Sequence, residues 1–368
     1  MPTRSLDELK RLIRKIEFDK TEPEMLVELV KKAMKTGEGE RERLKKIMQK
    51  SEELFKLLAN NGLLCRIENE DIEKLKTIPI GAVDGSFQVV GGRGGKWFAI
   101  LGISQIIAEN GFTLAPQIKV DGLIEPLVAV DEADAHKQAE ILMLLGEIRA
   151  TRAIAECLSS KGESCILIDG PIIDPPLFAD ENYIEERVEA FKFCVKNKAD
   201  VIGFVKRILG RRYLNFLKEM FDIKNEEFVS DFDLLSTVMF AAAKFGMCPL
   251  YTYPLSYSET RDVASTYEIY KERGLNIYYS YYKPALRSRI YRVEYASSKE
   301  VSGQTAEIFR KIFNLLNKVW TITGQDEPLP IMIAHNKCNI RQGAAEKLYY
   351  EIITRTLSEG EFHFWLES

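Results

Sequence analysis

Ile78-Pro79-Ile80-Gly81-Ala82-Val83-Asp84-Gly85-Ser86 is an apolar run closed by a carboxylate, a glycine and a hydroxyl. Small and β-branched apolar residues over this length predict a buried strand. Asp-Gly at its end predicts a tight turn that carries Asp84 out of the strand. The device returns in Cys165-Ile166-Leu167-Ile168-Asp169-Gly170-Pro171. Two buried strands, each presenting an Asp followed by Gly, bring a pair of carboxylates to one edge of a sheet. Hydrated divalent cations and phosphate chemistry both use such a pair. The same dipeptide also serves simply as a turn, because Asp bonds its own backbone and Gly accepts positive φ.

Working outward, Ile78 to Val90 predicts one strand and Lys96 to Ile107 a second, joined by the hairpin-type link Gly91-Gly92-Arg93-Gly94-Gly95. That link lacks a Gly-Lys-Ser/Thr ending and leads into a strand, whereas phosphate-cradling loops open helices. Phe112 to Val120 predicts a third strand, and Asp131 to Ser160 one long helix. The Asp169 strand, a helix over Ile184 to Lys196 and a strand over Asp200 to Lys206 follow. The order β-β-β-α-β-α-β is that of a ribonuclease H-like mixed sheet with flanking helices, an α/β fold. In that arrangement an Asp near the middle of the first strand lies beside one at the end of the fourth. Helices are expected over Leu214 to Met220, Phe232 to Phe245, Gly303 to Thr321 and Arg341 to Leu357, and a short strand over Ile331 to His335.

Residues 1 to about 75 read as helix throughout, with Leu9, Leu12, Ile13 and Ile16, then Met25 to Met34, then Glu38 to Asn60 as successive apolar-striped segments. The expected organisation is a helical extension over 1–75 and one ribonuclease H-like body with a C-terminal elaboration over 76–368. The 368 residues, 46% hydrophobic, supply a sizeable core. No run of ~18 apolar residues predicts a membrane span. The polar start Met1-Pro2-Thr3-Arg4-Ser5-Leu6-Asp7-Glu8 has no signal-peptide core, so a cytoplasmic location is expected. Cys65, Cys157, Cys165, Cys194, Cys248 and Cys338 are scattered without a CxxC pair and read as reduced core residues. The net charge of −4 neither favours nor excludes nucleic acid, since an enzyme needs only a local basic track.

A two-metal phosphodiesterase site needs a third acid, and the long helix offers Glu140, Glu147 and Glu156. The strand to Asp169 covers about 17 Å at ~3.3 Å per residue. A helical Glu level with Asp169 lies about as far from the helix end near Ser160, at ~1.5 Å per residue. Glu147, at roughly 20 Å, matches; Glu140, at about 30 Å, overshoots, and Glu156, at about 6 Å, falls short. Gly146 leaves room beside Glu147. His335, ending the expected strand Ile331 to His335, adds an imidazole that completes a metal shell or shuttles a proton. A mixed carboxylate and imidazole shell tilts preference to Mn²⁺, with Mg²⁺ as the alternative.

Ala82-Val83-Asp84-Gly85-Ser86, Leu167-Ile168-Asp169-Gly170-Pro171, Val201-Ile202-Gly203-Phe204-Val205-Lys206 and Pro330-Ile331-Met332-Ile333-Ala334-His335 together resemble the NurA nuclease family over about residues 78–350. The resemblance implies a ribonuclease H-like, Mn²⁺-dependent, dimeric archaeal or bacterial nuclease. It implies 5′-to-3′ processing of DNA ends in recombination and repair, together with a HerA-type hexameric translocase. Carried over by motif, Asp84, Asp169 and His335 are active-site residues. The surroundings of Glu147, Leu144-Leu145-Gly146-Glu147-Ile148-Arg149, match the family only loosely.

The expected reaction is phosphodiester hydrolysis, with Asp84 bridging two cations and Glu147 and Asp169 each completing one shell. Lys206 is positioned to meet a phosphate or the transition-state charge, or is an ordinary strand-end lysine. Basic residues cluster in Lys206, Arg207, Arg211 and Arg212, and again from Lys283 to Arg287, Arg289 and Arg292. Tyr278, Tyr279, Tyr281, Tyr282 and Tyr291 interleave with the second cluster, which suits a single-strand channel of cations and stacking rings. Alternating Tyr and Arg equally describe a half-exposed strand. Two other readings compete: an actin-like or sugar-kinase-type ATP-dependent phosphotransferase, whose fold also begins on an Asp-Gly strand turn, and a non-catalytic adaptor that clamps a motor to DNA.

Overall fold

A strand with apolar side chains on both faces can be stable only between two layers of helices. That requirement shapes the computed structural model, which describes residues 22–68, 72–92, 96–173, 181–221, 228–259, 264–301, 303–322 and 324–357. The helix expected around Leu9 to Ile16, and Arg93 to Gly95 of the hairpin link, lie outside these residues. In chain order the elements begin with helices Pro23–Gln49 (α1) and Ser51–Asn60 (α2), strand Leu64–Arg66 (β1) and helix Ile72–Lys76 (α3). Strands Ile80–Gly91 (β2), Trp97–Phe112 (β3) and Gln117–Leu127 (β4) follow, then helix Glu132–Leu158 (α4) and strand Ser164–Asp169 (β5). Helix Glu181–Lys196 (α5), strand Ala199–Val205 (β6), helices Arg212–Phe221 (α6) and Asp231–Lys244 (α7), and strands Leu250–Thr252 (β7) and Leu255–Ser256 (β8) come next. The chain continues with helix Ala264–Glu272 (α8), strands Asn276–Lys283 (β9) and Tyr291–Ser297 (β10), and helices Thr305–Asn314 (α9), Leu329–Cys338 (α10) and Gln342–Leu357 (α11). No helix among the described residues is long and apolar enough to cross a membrane.

The ten strands form one mixed sheet in the order β1-β7-β9-β10-β6-β5-β2-β3-β4, with β8 on β9. The expected β-β-β-α-β-α-β unit is the side of it from β6 to the edge strand β4: β2, β5 and β6 are parallel and the remaining ladders antiparallel. Strand parity sorts the side chains into two cores. Val83, Ile166, Ile168 and Val201 pack with Ile148 and Ile154 of α4 on one face. Ile80, Ala82, Cys165, Leu167, Ile202 and Phe204 pack with α9 and α10 on the other. Asp84 and Asp169 continue the second set, so their parity aims them at α10.

Four expectations change. First, the strand does not turn at Asp84: β2 runs through it to Gly91, paired residue by residue with β3. Gly85 serves close approach rather than a turn, since a Cβ there would lie 2.7 Å from Met143 Cγ and 2.8 Å from Glu147 Oε1. Second, α1 is unbroken across Gly37 and Gly39, where surrounding strong helix formers outweigh a cost of about 1 kcal/mol per glycine. Nor is helix continuous to 75: Gly62 at φ +68° ends the α2 turn, β1 then pairs with β7, and helix resumes only at α3. Third, β3 extends to Phe112 and the third strand is shifted to Gln117–Leu127, an edge strand whose solvent exposure hides the usual alternation. Fourth, Ile331 to His335 is not a strand but the middle of α10. Pro330 stands in the first helical turn, where its missing N–H costs nothing, and Ile331, Ala334 and Cys338 recur as the buried stripe. A short apolar run does not by itself tell strand from buried helix.

Candidate metal centre

Parallel pairing sets the first two ligands side by side. The β2–β5 ladder ends at Val83 opposite Ile168, so Asp84 and Asp169 follow on neighbouring strands, about 4.8 Å apart, facing the same way. β5 ends at Asp169, and Gly170 takes φ +144°, turning the chain away where a side chain would be strained. The third ligand comes from α10, held against the sheet by hydroxyls. Ser104 donates to Ala334 O at 2.7 Å, Ser86 donates to Cys338 O, and Ile340 N donates to Ser86 Oγ at 3.1 Å. Gly102 lets the end of α10 come this close, for a Cβ there would sit 2.5 Å from Cys338 O.

His335 Nδ1 consequently lies 2.9 Å from Asp84 Oδ2 and 3.9 Å from Asp169 Oδ2. One ligand atom from each of Asp84, Asp169 and His335 falls within 4.8 Å of the others. Both carboxylates are largely buried while the imidazole is exposed at the mouth. Burial, then the nearby charge of Asp169, pushes the Asp84 carboxyl up to about 6, against the hydrogen bond and charge of His335. Burial raises Asp169 too, opposed by the Lys206 ammonium 2.8 Å away. Lys206 also pairs with Glu327 at 2.9 Å. Cys338 Sγ donates to Asp84 Oδ2 at 3.4 Å, and burial together with the Asp84 charge raises its thiol, keeping it protonated.

Asp84, Asp169, Lys206 and His335 line an open cavity of ≈ 880 Å³ at the end of the parallel strands. Glu147 is 5% exposed and lines the same cavity, but from the opposite face of the sheet, across Gly85. It stands outside the three-residue ligand group. The helix-rise argument set its height, whereas parity, which it ignored, sets its face.

The basic residues divide. Lys206, Arg207 and Arg212 line the cavity, and Arg212 donates to Tyr257 Oη at 2.8 Å. Arg211 is exposed, with Nη2 3.5 Å from Phe228 O. The second cluster does not form a channel. Tyr282 is 1% exposed, its ring stacks on Phe313 and its hydroxyl accepts from Asn317, so it cannot stack on a base. Lys283 is buried too, donating to Ser288 O at 2.5 Å, and burial lowers its ammonium. Tyr278, Tyr279, Tyr281 and Tyr291 are also core. Arg287 and Arg289 are exposed in the β9–β10 turn. Alternating Tyr in β9 and β10 fills both cores because this pair is interior to the sheet, and a strand covered on both faces carries apolar bulk at every position.

Sequence reasoning missed the buried clamp behind Asp169. Glu294 accepts from Ile172 N at 2.6 Å, Tyr257 Oη at 2.5 Å and Arg292 Nε at 2.8 Å. Arg187 donates to Ile172 O at 3.0 Å and Pro171 O at 2.6 Å. The turn that follows Asp169 is thus held from both its donors and its acceptors. Burial alone would raise the Glu294 carboxyl; the Arg292 guanidinium and the Tyr257 hydroxyl outweigh it and hold the group below its ordinary value. Cys338 and Glu327 were missed as well. Only Cys338 carried a signal, its position one helical turn after His335.

The donor set fits a divalent cation. Two carboxylates and an imidazole converge, and burial together with the neighbouring charge of Asp169 raises the Asp84 carboxyl despite His335. Oxygen and imidazole donors without thiolate suit Mn²⁺ and Mg²⁺.

The sequence profile described as NurA domain matches residues 79–340. Among solved structures, the NurA nuclease from Sulfolobus solfataricus superposes with a TM-score of 0.57 at 16% identity, over 91% of this chain and 98% of that one. A structure described as NurA gives 0.45 at 12% identity, over 88% and 97% of the two chains. Endonuclease V of Ciona intestinalis, solved with an inosine-containing DNA, gives 0.37 at 12% identity, over 84% and 99%. Of these, the first alone superposes closely enough to speak to the fold. No curated protein sequence matches the chain.

Proposed function

The chain belongs to the NurA family, and from that premise we propose that it is a metal-dependent deoxyribonuclease acting on single strands and DNA ends. One observation carries the reading: Asp84, Asp169 and His335 offer ligand atoms within 4.8 Å of one another and line an open cavity. A divalent cation held there, Mn²⁺ or alternatively Mg²⁺, would supply Lewis acidity toward the phosphodiester and lower the pKa of water. The protein's own part is positional and electrostatic. Asp84 and Asp169 would hold the cation from adjacent strands. His335, exposed at the mouth with Nδ1 2.9 Å from Asp84 Oδ2, would offer the third ligand atom. Lys206, already within reach of Asp169, would meet a substrate phosphate, a charge-assisted contact. Glu147 joins the site across Gly85. Arg207, Arg211 and Arg212 provide the backbone track, and exposed Arg287 extends it.

The family setting leads us to propose DNA-end resection, with 5′-to-3′ polarity, alongside a HerA-type hexameric translocase in the cytoplasm, and a homodimeric enzyme. The test is incubation of labelled single-stranded DNA with the protein and Mn²⁺, beside the Asp84→Ala variant and a chelator control. Cleavage by the wild type alone, lost with the chelator and reduced about 10³-fold or more by Asp84→Ala, is the expected result. Equal cleavage by the variant, or nucleotide hydrolysis without DNA cleavage, would overturn it.

A further inference from the structure

Lys206 is held between two acids. Its Nζ lies 2.8 Å from Asp169 Oδ2 and 2.9 Å from Glu327 Oε2. Strand pairing explains the first contact. Asp169 stands opposite Phe204 in the β5–β6 ladder, and Lys206 follows two residues on, one past the end of β6. Phe204 packs in the same core as Ile331 and Ala334 of α10, so Lys206 shares the face of Asp84 and Asp169. The loop into α10 supplies the second contact. Glu327 meets Lys206 just ahead of the helix, and His335 within it meets Asp84.

Glu327 is fixed on both sides. Ser288 Oγ donates to Asp326 Oδ1 at 2.7 Å, and Leu329 N donates to Trp320 O, from a residue in the core, at 2.6 Å. Pro328 between them has its own φ locked by the ring. Lys206, by contrast, carries its ammonium on a flexible four-carbon stem. The ammonium can therefore pass from one acid to the other while the backbone stays in place.

Asp169 Oδ2 answers two demands. It is the oxygen paired with Lys206, and it also lies 3.9 Å from His335 Nδ1 within the ligand group. An ammonium paired with that oxygen and a divalent cation bound to the same carboxylate are like charges at close range, and they repel. With Asp169 as its sole partner, Lys206 would oppose uptake of the cation. A second carboxylate already within hydrogen-bond distance gives the ammonium a place to go.

We propose that Glu327 is a positioning residue for the cation site: it takes over the Lys206 ammonium as Asp169 turns to a divalent cation, and keeps that charge beside the cavity. One ion pair is exchanged for another, and no proton is transferred. A half-exposed ion pair of this kind contributes little stability on its own; its role here is its coupling to the cation. The inference rests on the cation-site reading, not on nuclease activity.

The test is a double-mutant cycle. Mn²⁺ is titrated into the full chain without DNA, and the electron paramagnetic resonance signal of free Mn²⁺ is followed. Lys206→Met removes the competing ammonium and is expected to bind Mn²⁺ about tenfold more tightly than wild type. Glu327→Gln leaves Lys206 to Asp169 alone and is expected to bind about tenfold more weakly. In the Lys206→Met background, the same Glu327→Gln change is expected to alter affinity about twofold or less, since no ammonium remains to be received. Tight binding by that double variant also excludes misfolding as the cause of the single variant's loss. Equal losses in both backgrounds would overturn the proposal, because Glu327 would then act on the cation directly. So would a Glu327→Gln protein that binds as tightly as wild type. A wild type that binds no Mn²⁺ overturns the cation-site reading itself, and the proposal with it.

Discussion

Two buried acids lie on either side of the turn after β5, and burial alone would raise both. Glu294 sits among Arg292, Tyr257 and the Ile172 amide and is held below its ordinary value. Asp84 has one imidazole, one thiol and a neighbouring carboxylate, and is pushed up to about 6. The difference is compensation. A carboxylate whose partners outweigh its desolvation is part of the scaffold, while one left short of positive charge is poised for a cation or a proton. The scaffold acid also holds the turn that presents Asp169, so the two sites are mechanically joined while electrostatically opposite.

Predictions that sharpen this contrast begin with Asp169→Asn. It removes a ligand while preserving shape, and is expected to cost about 10³-fold in cleavage rate with an unchanged circular dichroism spectrum. Glu294→Ala should act on the other side of the comparison. It leaves Arg292 buried and unpaired, and denaturant unfolding should show a loss of about 3–5 kcal/mol. If stability held while activity fell, Glu294 would belong with the reactive acids instead.

Asp84→Asn should do the reverse. The folded protein binds a proton at Asp84 more tightly than the unfolded chain, so the ionised carboxylate destabilises the fold above about pH 6. The penalty fades as pH falls from 6 to the unfolded value and is gone below about pH 4. In the presence of chelator, Asp84→Asn should therefore gain up to about 3 kcal/mol at pH 8 and nothing at pH 3.5. Unfolding curves at the two pH values check it; a loss at pH 8 would mean that the His335 contact outweighs burial. The smallest effect belongs to the rim. Arg207→Ala should weaken single-stranded DNA binding a few-fold and lower the salt slope by about 0.7. Tyr282→Phe, a core change, should leave binding unaltered.

Much of the acid pair was legible. An apolar run ending in Asp-Gly, twice, fixes two parallel neighbours, and the β-β-β-α-β-α-β order sets them adjacent. The Val83–Ile168 register then follows from burying both strands on both faces. Less legible was everything that depends on long-range packing. Ile331 to His335 has too short an apolar run to separate strand from helix, so His335 was assigned to the site on the wrong element. The tyrosines of β9 and β10 look like a half-exposed strand until β6 and β7 are known to flank them. For Glu147, helical rise speaks to its height, and only the packing of α4 against Gly85 reveals its face. Glu294 had little local signal, because beyond Arg292 on its own strand its partners come from two distant stretches of chain.

The central claim is that Asp84, Asp169 and His335 form a divalent-cation site. Titration of Mn²⁺ into the protein at neutral pH, followed by the electron paramagnetic resonance signal of free Mn²⁺, tests it without reference to activity. The account predicts that wild type depletes the free signal, and that Asp84→Asn and Asp169→Asn, equally folded, bind ~100-fold more weakly or worse. A wild type that leaves the free signal unchanged, or variants that bind as tightly as wild type, would contradict it.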